Sequence, residues 1–207
     1  MKKLFIFLFF TVNILFAQDD FEGVLKFKLS FKDKTGKMPD EENKQFMGTE
    51  LMYYVKKNKY KTTLNGLLNI TQYYDGKDSL YTKMSINNKL MYKLASENDE
   101  NIISYSFEET DYKILDLKCE LLVVKTDKGI HKYYFNPTIR NNPKYYQNHK
   151  YGLYNFLSKI TKGAIALRSE VDIDKLYSST ELISVDRKKL NDSIFVRPRL
   201  EIIPTPK

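Results

Sequence analysis

Along most of the chain apolar and polar residues alternate with a period of two, the pattern of strands that bury one face and wet the other. Between 24 and 31, Leu25, Phe27, Leu29 and Phe31 alternate with Lys26, Lys28 and Ser30. From 112 to 137 the pattern predicts a hairpin at the middle of the sheet. Leu115, Leu117, Cys119, Leu121 and Val123 share one face of its first strand, opposite Asp116, Lys118 and Glu120. A short loop ends at Gly129, which can take positive φ, and an aromatic strand returns over Ile130 to Phe135. Leu122 and Val124 make the first strand apolar on both faces towards its end, so something must cover its second side. The nearest apolar segment after the hairpin is 153–160.

Between 49 and 94 the alternation divides into strands over 53–56, 60–64, 69–74, 80–85 and 89–94, punctuated by Lys57-Asn58, Asn65-Gly66, Asp75-Gly76 and Asn87-Asn88. Asn-Gly and Asp-Gly are strong two-residue hairpin signals, and the spacing predicts an antiparallel meander. Asp40 stands where it could cap a short helix over Glu41 to Phe46. A strand is predicted over 102–107 and a long surface loop between 137 and 151. The segment 153–167 fits a short helix followed by a strand from Ala164 as well as it fits one long strand. A helical turn over 172–177 and a last strand over 181–186 follow, and Pro198, Pro204 and Pro206 indicate an extended tail. The pattern predicts one mainly β domain over 18–197 with a tail over 198–207. Its sheet should be curved and antiparallel, or a half-barrel, with one or two short helices across the open side.

Residues 1–17 read as a secretory signal peptide, with Lys2 and Lys3 ahead of an apolar run and cleavage expected before Gln18. No cysteine follows the run to take an acyl group, so a soluble periplasmic or secreted product without a transmembrane span is expected. The one cysteine, Cys119, allows no intramolecular disulfide, and its place on an apolar strand face predicts a buried, inert thiol. The formal net charge of +8 is dispersed among acids and aromatics. An exported chain without a dense basic patch is not built for nucleic acid.

Little catalytic chemistry is visible. The two histidines, His131 and His149, have no second ligand at a recognised metal spacing. No glycine-rich phosphate loop, Gly-x-Ser-x-Gly elbow or paired-cysteine motif occurs, so no metal, cofactor or catalytic residue is assigned. The pairs Glu108 with Glu109 and Asp172 with Asp174 read as solvated charges at strand ends. A pair of acids from distant strands is the hydrolytic arrangement the sequence leaves open. Tyrosine is over-used, with 16 Tyr and no Trp. Tyrosine suits a half-exposed sheet, and it also suits a concave aromatic surface for an apolar or carbohydrate ligand.

Three stretches occur in an order that resembles the GLPGLI-type family of exported proteins: Asp116-Leu117-Lys118-Cys119, then Tyr133-Tyr134-Phe135-Asn136-Pro137, then Gly152-Leu153-Tyr154-Asn155-Phe156-Leu157. Asp116 stands where the family has glycine, and Tyr154 and Asn155 stand at the Pro-Gly centre of its signature. The resemblance implies an architecture similar to the LolA-like periplasmic carriers and an envelope location, and it lends no catalytic residue. The combined expectation is a non-enzymatic binding protein for a hydrophobic or envelope-derived ligand such as a lipid. The alternative is an accessory protein of an outer-membrane complex, with a protein partner and no ligand cavity. A ligand is expected on the concave face near the hairpin, under 151–157, in a cleft beside Tyr134 and Phe156.

Overall fold

A computed structural model describes residues 20–205. The signal-peptide reading and the cleavage point before Gln18 lie outside the described residues. The protein is mainly β, with a large curved, chiefly antiparallel sheet and two short helices. In chain order the elements are β1 (Gly23–Asp33), α1 (Asp40–Met47), β2 (Glu50–Lys56), β3 (Lys59–Leu64), β4 (Thr71–Tyr74), β5 (Ser79–Lys83), β6 (Lys89–Leu94) and β7 (Ile102–Glu108). There follow β8 (Lys113–Ile114), β9 (Leu117–Lys118), β10 (Glu120–Thr126), β11 (Gly129–Arg140), α2 (Tyr154–Ile160), β12 (Ala164–Ile173), β13 (Leu176–Arg187) and β14 (Glu201–Pro204). Twelve strands form one sheet in the order β14-β6-β5-β4-β3-β2-β1-β13-β12-β11-β10-β7, and β8 with β9 make a separate small ribbon.

The meander is present, but its turns differ from the expected ones. Lys57-Asn58 is the tight two-residue connection, with Lys56 paired to Lys59 and Lys57 at φ 51°. Asn65-Gly66 instead opens a longer link and serves as a docking point for the end of α1. The Asn65 side-chain oxygen accepts from the Thr49 and Glu50 N–H groups at 2.8 and 2.9 Å. A Cβ on Gly66 would lie 2.3 Å from the Gly48 nitrogen, so glycine is required there for close approach. Asp40 does not cap α1: Pro39 holds the cap position and Asp40 begins the helix. The acid that orders this region is Asp33, whose carboxylate accepts from the N–H groups of Thr35, Lys37 and Met38.

The β10–β11 hairpin forms as expected from Glu120↔Phe135 to Lys125↔Ile130, but it is not the middle of the sheet. It lies next to the β7 edge, and β1, flanked by β2 and β13, stands at the centre. The strand predicted over Leu115 to Val124 is broken, because Leu115 and Asp116 adopt φ 48° and 63° and turn the chain between β8 and β9. Positive φ at two successive residues makes a tight hairpin turn that Asn-Gly normally announces, and Leu-Asp gives no such signal. The ambiguity at 153–167 resolves as a helix followed by a strand. The helical turn expected over 172–177 is a tight β-turn, since Ile173 pairs with Leu176. The segment 201–204, read as part of an extended tail, pairs in parallel with β6.

Alternation then fixes the two faces. Leu25, Phe27 and Leu29 of β1 point to the concave side, and cross-strand pairing carries that face through Tyr53 and Tyr60 in one direction and Leu182, Thr180 and Ser169 in the other. On the opposite side Val24 is covered by Leu190 and Phe195. Cys119 is buried beside Ile114, Leu117 and Tyr112, near the β8–β9 ribbon, and burial pushes its thiol pKa up. Cys119→Ser is expected to lower stability by about 1–3 kcal/mol through a poorly satisfied hydroxyl. A bulky thiol reagent should label the native protein only after unfolding; rapid labelling of the folded form would contradict this placement.

Candidate functional site

The stretch after β11 was expected to be a surface loop. It is instead the inner cover of the sheet. Tyr146 is 5% exposed and His149 is fully buried. Two N–H groups, of Lys150 and Tyr151, donate to the Ala95 carbonyl at 2.7 and 3.0 Å and tie the segment to the end of β6. Gly152 and Leu153, both at φ 61°, then turn the chain so that α2 lies over the concave face. Leaving α2, Gly163 at φ 87° sits so close to Asn141 that a Cβ would lie 1.8 Å from its carbonyl oxygen. Asn141 in turn donates its N–H to the Gly163 carbonyl at 2.9 Å. The helix is thus held at both ends by left-handed residues.

What α2 covers is divided in three. Towards β7, Leu122 and Val124 pack with Tyr133, Phe135 and Leu153, against Phe156, Leu157 and Ile160. This cover is why β10 is apolar on the face carrying Leu122 and Val124. Towards β4, Tyr60, Tyr74, Tyr146 and Tyr154 stack around His149, with the Tyr154 and His149 ring centroids 4.4 Å apart. The Tyr60 hydroxyl lies 2.8 Å from His149 Nε2. Burial lowers the His149 pKa to about 4 and raises those of Tyr53 and Tyr60 well above the ordinary tyrosine value, so this cluster is neutral.

Between these two packed regions lies a cavity of about 240 Å³. Phe27, Leu51, Tyr133, Leu157, Ile165 and Ala166 supply apolar walls, and Thr62, Ser158, Ser169 and Thr180 place hydroxyls in it. Ser169 and Thr180 are hydrogen-bonded to each other at 2.7 Å, so Thr62 on β3 is a polar group left for a ligand on the sheet side. Behind Tyr133 runs a buried polar chain: its hydroxyl is 3.3 Å from His131 Nδ1, and His131 Nε2 is 2.8 Å from Glu100. Among the described residues no three His, Cys, Asp or Glu side chains are grouped so as to hold a metal.

Of the two residues expected to line a cleft, Phe156 lies on α2 with its ring 5.3 Å from that of Tyr105. Tyr134 is on the other face of the sheet, against Tyr112 and the Arg168 guanidinium. The two do not share a cleft. Inner and outer positions alternate along β11, and it is Tyr133 that faces inward; a one-residue difference of register exchanges the faces. The remaining wall residues could not be read from the sequence, because they come from strands whose neighbours are distant along the chain.

No protein-family profile and no curated protein matches the chain, so the GLPGLI likeness rests on the three stretches quoted above. Among solved structures the chain is similar to an uncharacterized conserved protein from Thermus thermophilus, at 9% identity and a TM-score of 0.47 over 89% of this chain and 91% of that one. It is also similar to PNGF-II, at 11% identity and a TM-score of 0.46, covering 88% of this chain and 31% of that one. A LolA superfamily protein from Nitrosomonas europaea aligns at 10% identity with a TM-score of 0.36, over 88% of this chain and 92% of that one. No helix among the described residues is long and apolar enough to cross a membrane.

Proposed function

We propose that this is an exported, non-enzymatic binding protein that holds an apolar ligand, such as an acyl chain of a cell-envelope lipid, between the concave face of the sheet and α2. The cavity carries this reading: it is walled chiefly by aliphatic and aromatic side chains, with a few hydroxyls at fixed positions, as small-molecule sites are. Its volume of about 240 Å³ suits part of a chain rather than a whole lipid. Lys2 and Lys3 ahead of the apolar run at 1–17 support export.

Thr62→Phe tests the assignment. The ring would point into the cavity from β3, where an aromatic residue suits the strand and the Thr62 hydroxyl makes no hydrogen bond among the described residues. Binding of a fluorescent fatty acid should fall at least about tenfold, that is by ~1.4 kcal/mol or more, while circular dichroism stays that of the folded protein. Unchanged uptake by the folded variant would move the site elsewhere. Absence of uptake by the unaltered protein would favour the accessory-protein reading.

A further inference from the structure

The two edges of the sheet are built differently. At one edge β14 has four residues, ends in Pro204 and is pinned by an ion pair between Lys89 and Glu201. Short length, proline and charge are the usual guards against pairing with another chain. At the other edge β7 reads Ile-Ile-Ser-Tyr-Ser-Phe-Glu, seven residues with neither proline nor lysine, bonded among the described residues to β10 alone. Ile103, Tyr105 and Phe107 are 61, 49 and 52% exposed. Tyr105 and Phe107 pair across to Val124 and Leu122 and therefore stand on the concave side, and their rings touch those of Phe156 and Phe135. An exposed apolar row thus continues outward from the packed interior, beside backbone N–H and C=O groups that meet no further strand among the described residues.

Charge says what the row would accept. In a chain of net charge +8, the Glu108 end of β7 is acidic. Glu108, Glu109, Asp111 and Glu120 line a groove of about 560 Å³ at one end, with Lys118 the cation among them. At the other end charge is mixed: Asp127 is bound to the N–H and side-chain amide of Asn101, and Lys125 pairs with Ser104 of β7. We propose that β7 is a docking edge for an extended segment of a partner protein, which adds as a further strand, lays alternate apolar side chains beside Tyr105 and carries Lys or Arg at the end that meets Glu108. Main-chain bonds to the open edge would hold such a segment and the acidic end would select its charge. In antiparallel pairing of two β7 strands Glu108 of one faces Ile102 of the other, so a second copy brings no cation of β7 to the acidic end. The proposal is independent of the cavity and its ligand.

The test uses two labelled peptides of alternating valine and threonine, one with two lysines at each end and one with two glutamates. The lysine-ended peptide should bind and slow hydrogen exchange of the β7 amides, and the glutamate-ended one should bind at least about tenfold more weakly. Ile103→Lys, an exposed change that places a guarding charge on the edge, should abolish binding while leaving uptake of a fluorescent fatty acid as it was. Equal binding of both peptides, binding without protection of β7, or no binding of the lysine-ended peptide would overturn the proposal. So would a concentration-dependent dimer in sedimentation that Ile103→Lys dissolves, which would assign the edge to a second copy.

Discussion

Acidification from about pH 7 to about pH 4.5 is expected to lower the unfolding free energy by about 2–3 kcal/mol through His149 alone. The side chain is fully buried among tyrosine rings with its Nε2 on the Tyr60 hydroxyl, and burial lowers its pKa from 6.5 to about 4. Below the ordinary histidine value the unfolded chain binds a proton that the folded chain refuses. Stability therefore falls as the pH drops from about 6.5 to about 4 and takes no further contribution from this residue below that. Asp33, Asp127 and Asp192 have pKa values lowered by hydrogen bonds from their neighbours. They lose their contribution as the pH falls through and below the usual carboxylate range, so the decline above about pH 5 is the part to assign to His149. His149→Gln keeps a polar partner for Tyr60 and cannot titrate. Urea unfolding of the two proteins across this range should show the slope above about pH 5 largely removed in the variant. An equal slope in both would place the responsible group elsewhere.

Gly163→Ala should destabilise the protein by about 3 kcal/mol or more, a large effect for one methyl group. Two costs combine. The residue sits at φ 87°, where an L side chain is strained, and the added Cβ would meet the Asn141 carbonyl oxygen at 1.8 Å. Relief requires moving either the end of α2 or the end of β11, which are tied here by the Asn141 N–H to Gly163 carbonyl bond and by the Gly163 N–H bond to the Ser158 carbonyl. Because Leu157, Ser158, Gly163 and Ala164 border the cavity, the variant should also bind a fluorescent fatty acid more weakly under conditions where it remains folded. Thermal unfolding and probe titration of the same preparation measure both effects. Retention of the original midpoint would show that α2 is not fixed at this point.

The sequence by itself determined the fold class, most of the strands and the burial of particular side chains. Alternation in β1, the meander and the β10–β11 hairpin is a local signal with a period of two, and it survives whatever the strands are paired with. It also carried one long-range conclusion: the second apolar face at Leu122 and Val124 required a cover, and α2 supplies it. What only the tertiary structure decided is order, turn and face. Nothing local places β1 at the centre of the sheet and the hairpin near its edge, because strand order follows from pairings such as β1 with β13, between residues about as far apart as Gly23 and Arg187. The Leu115-Asp116 turn and the extended use of Asn65-Gly66 depend on what the chain meets in space rather than on dipeptide preference. The same holds for Tyr134 and Tyr133, adjacent and chemically identical: pairing with Leu122 and Ser169 sends Tyr133 to the cavity and its neighbour to the outer face. The cavity was illegible for that reason, since its walls come from β1, β2, β3, β11, β12, β13 and α2, and a surface assembled from seven separate elements has no signature in any one of them.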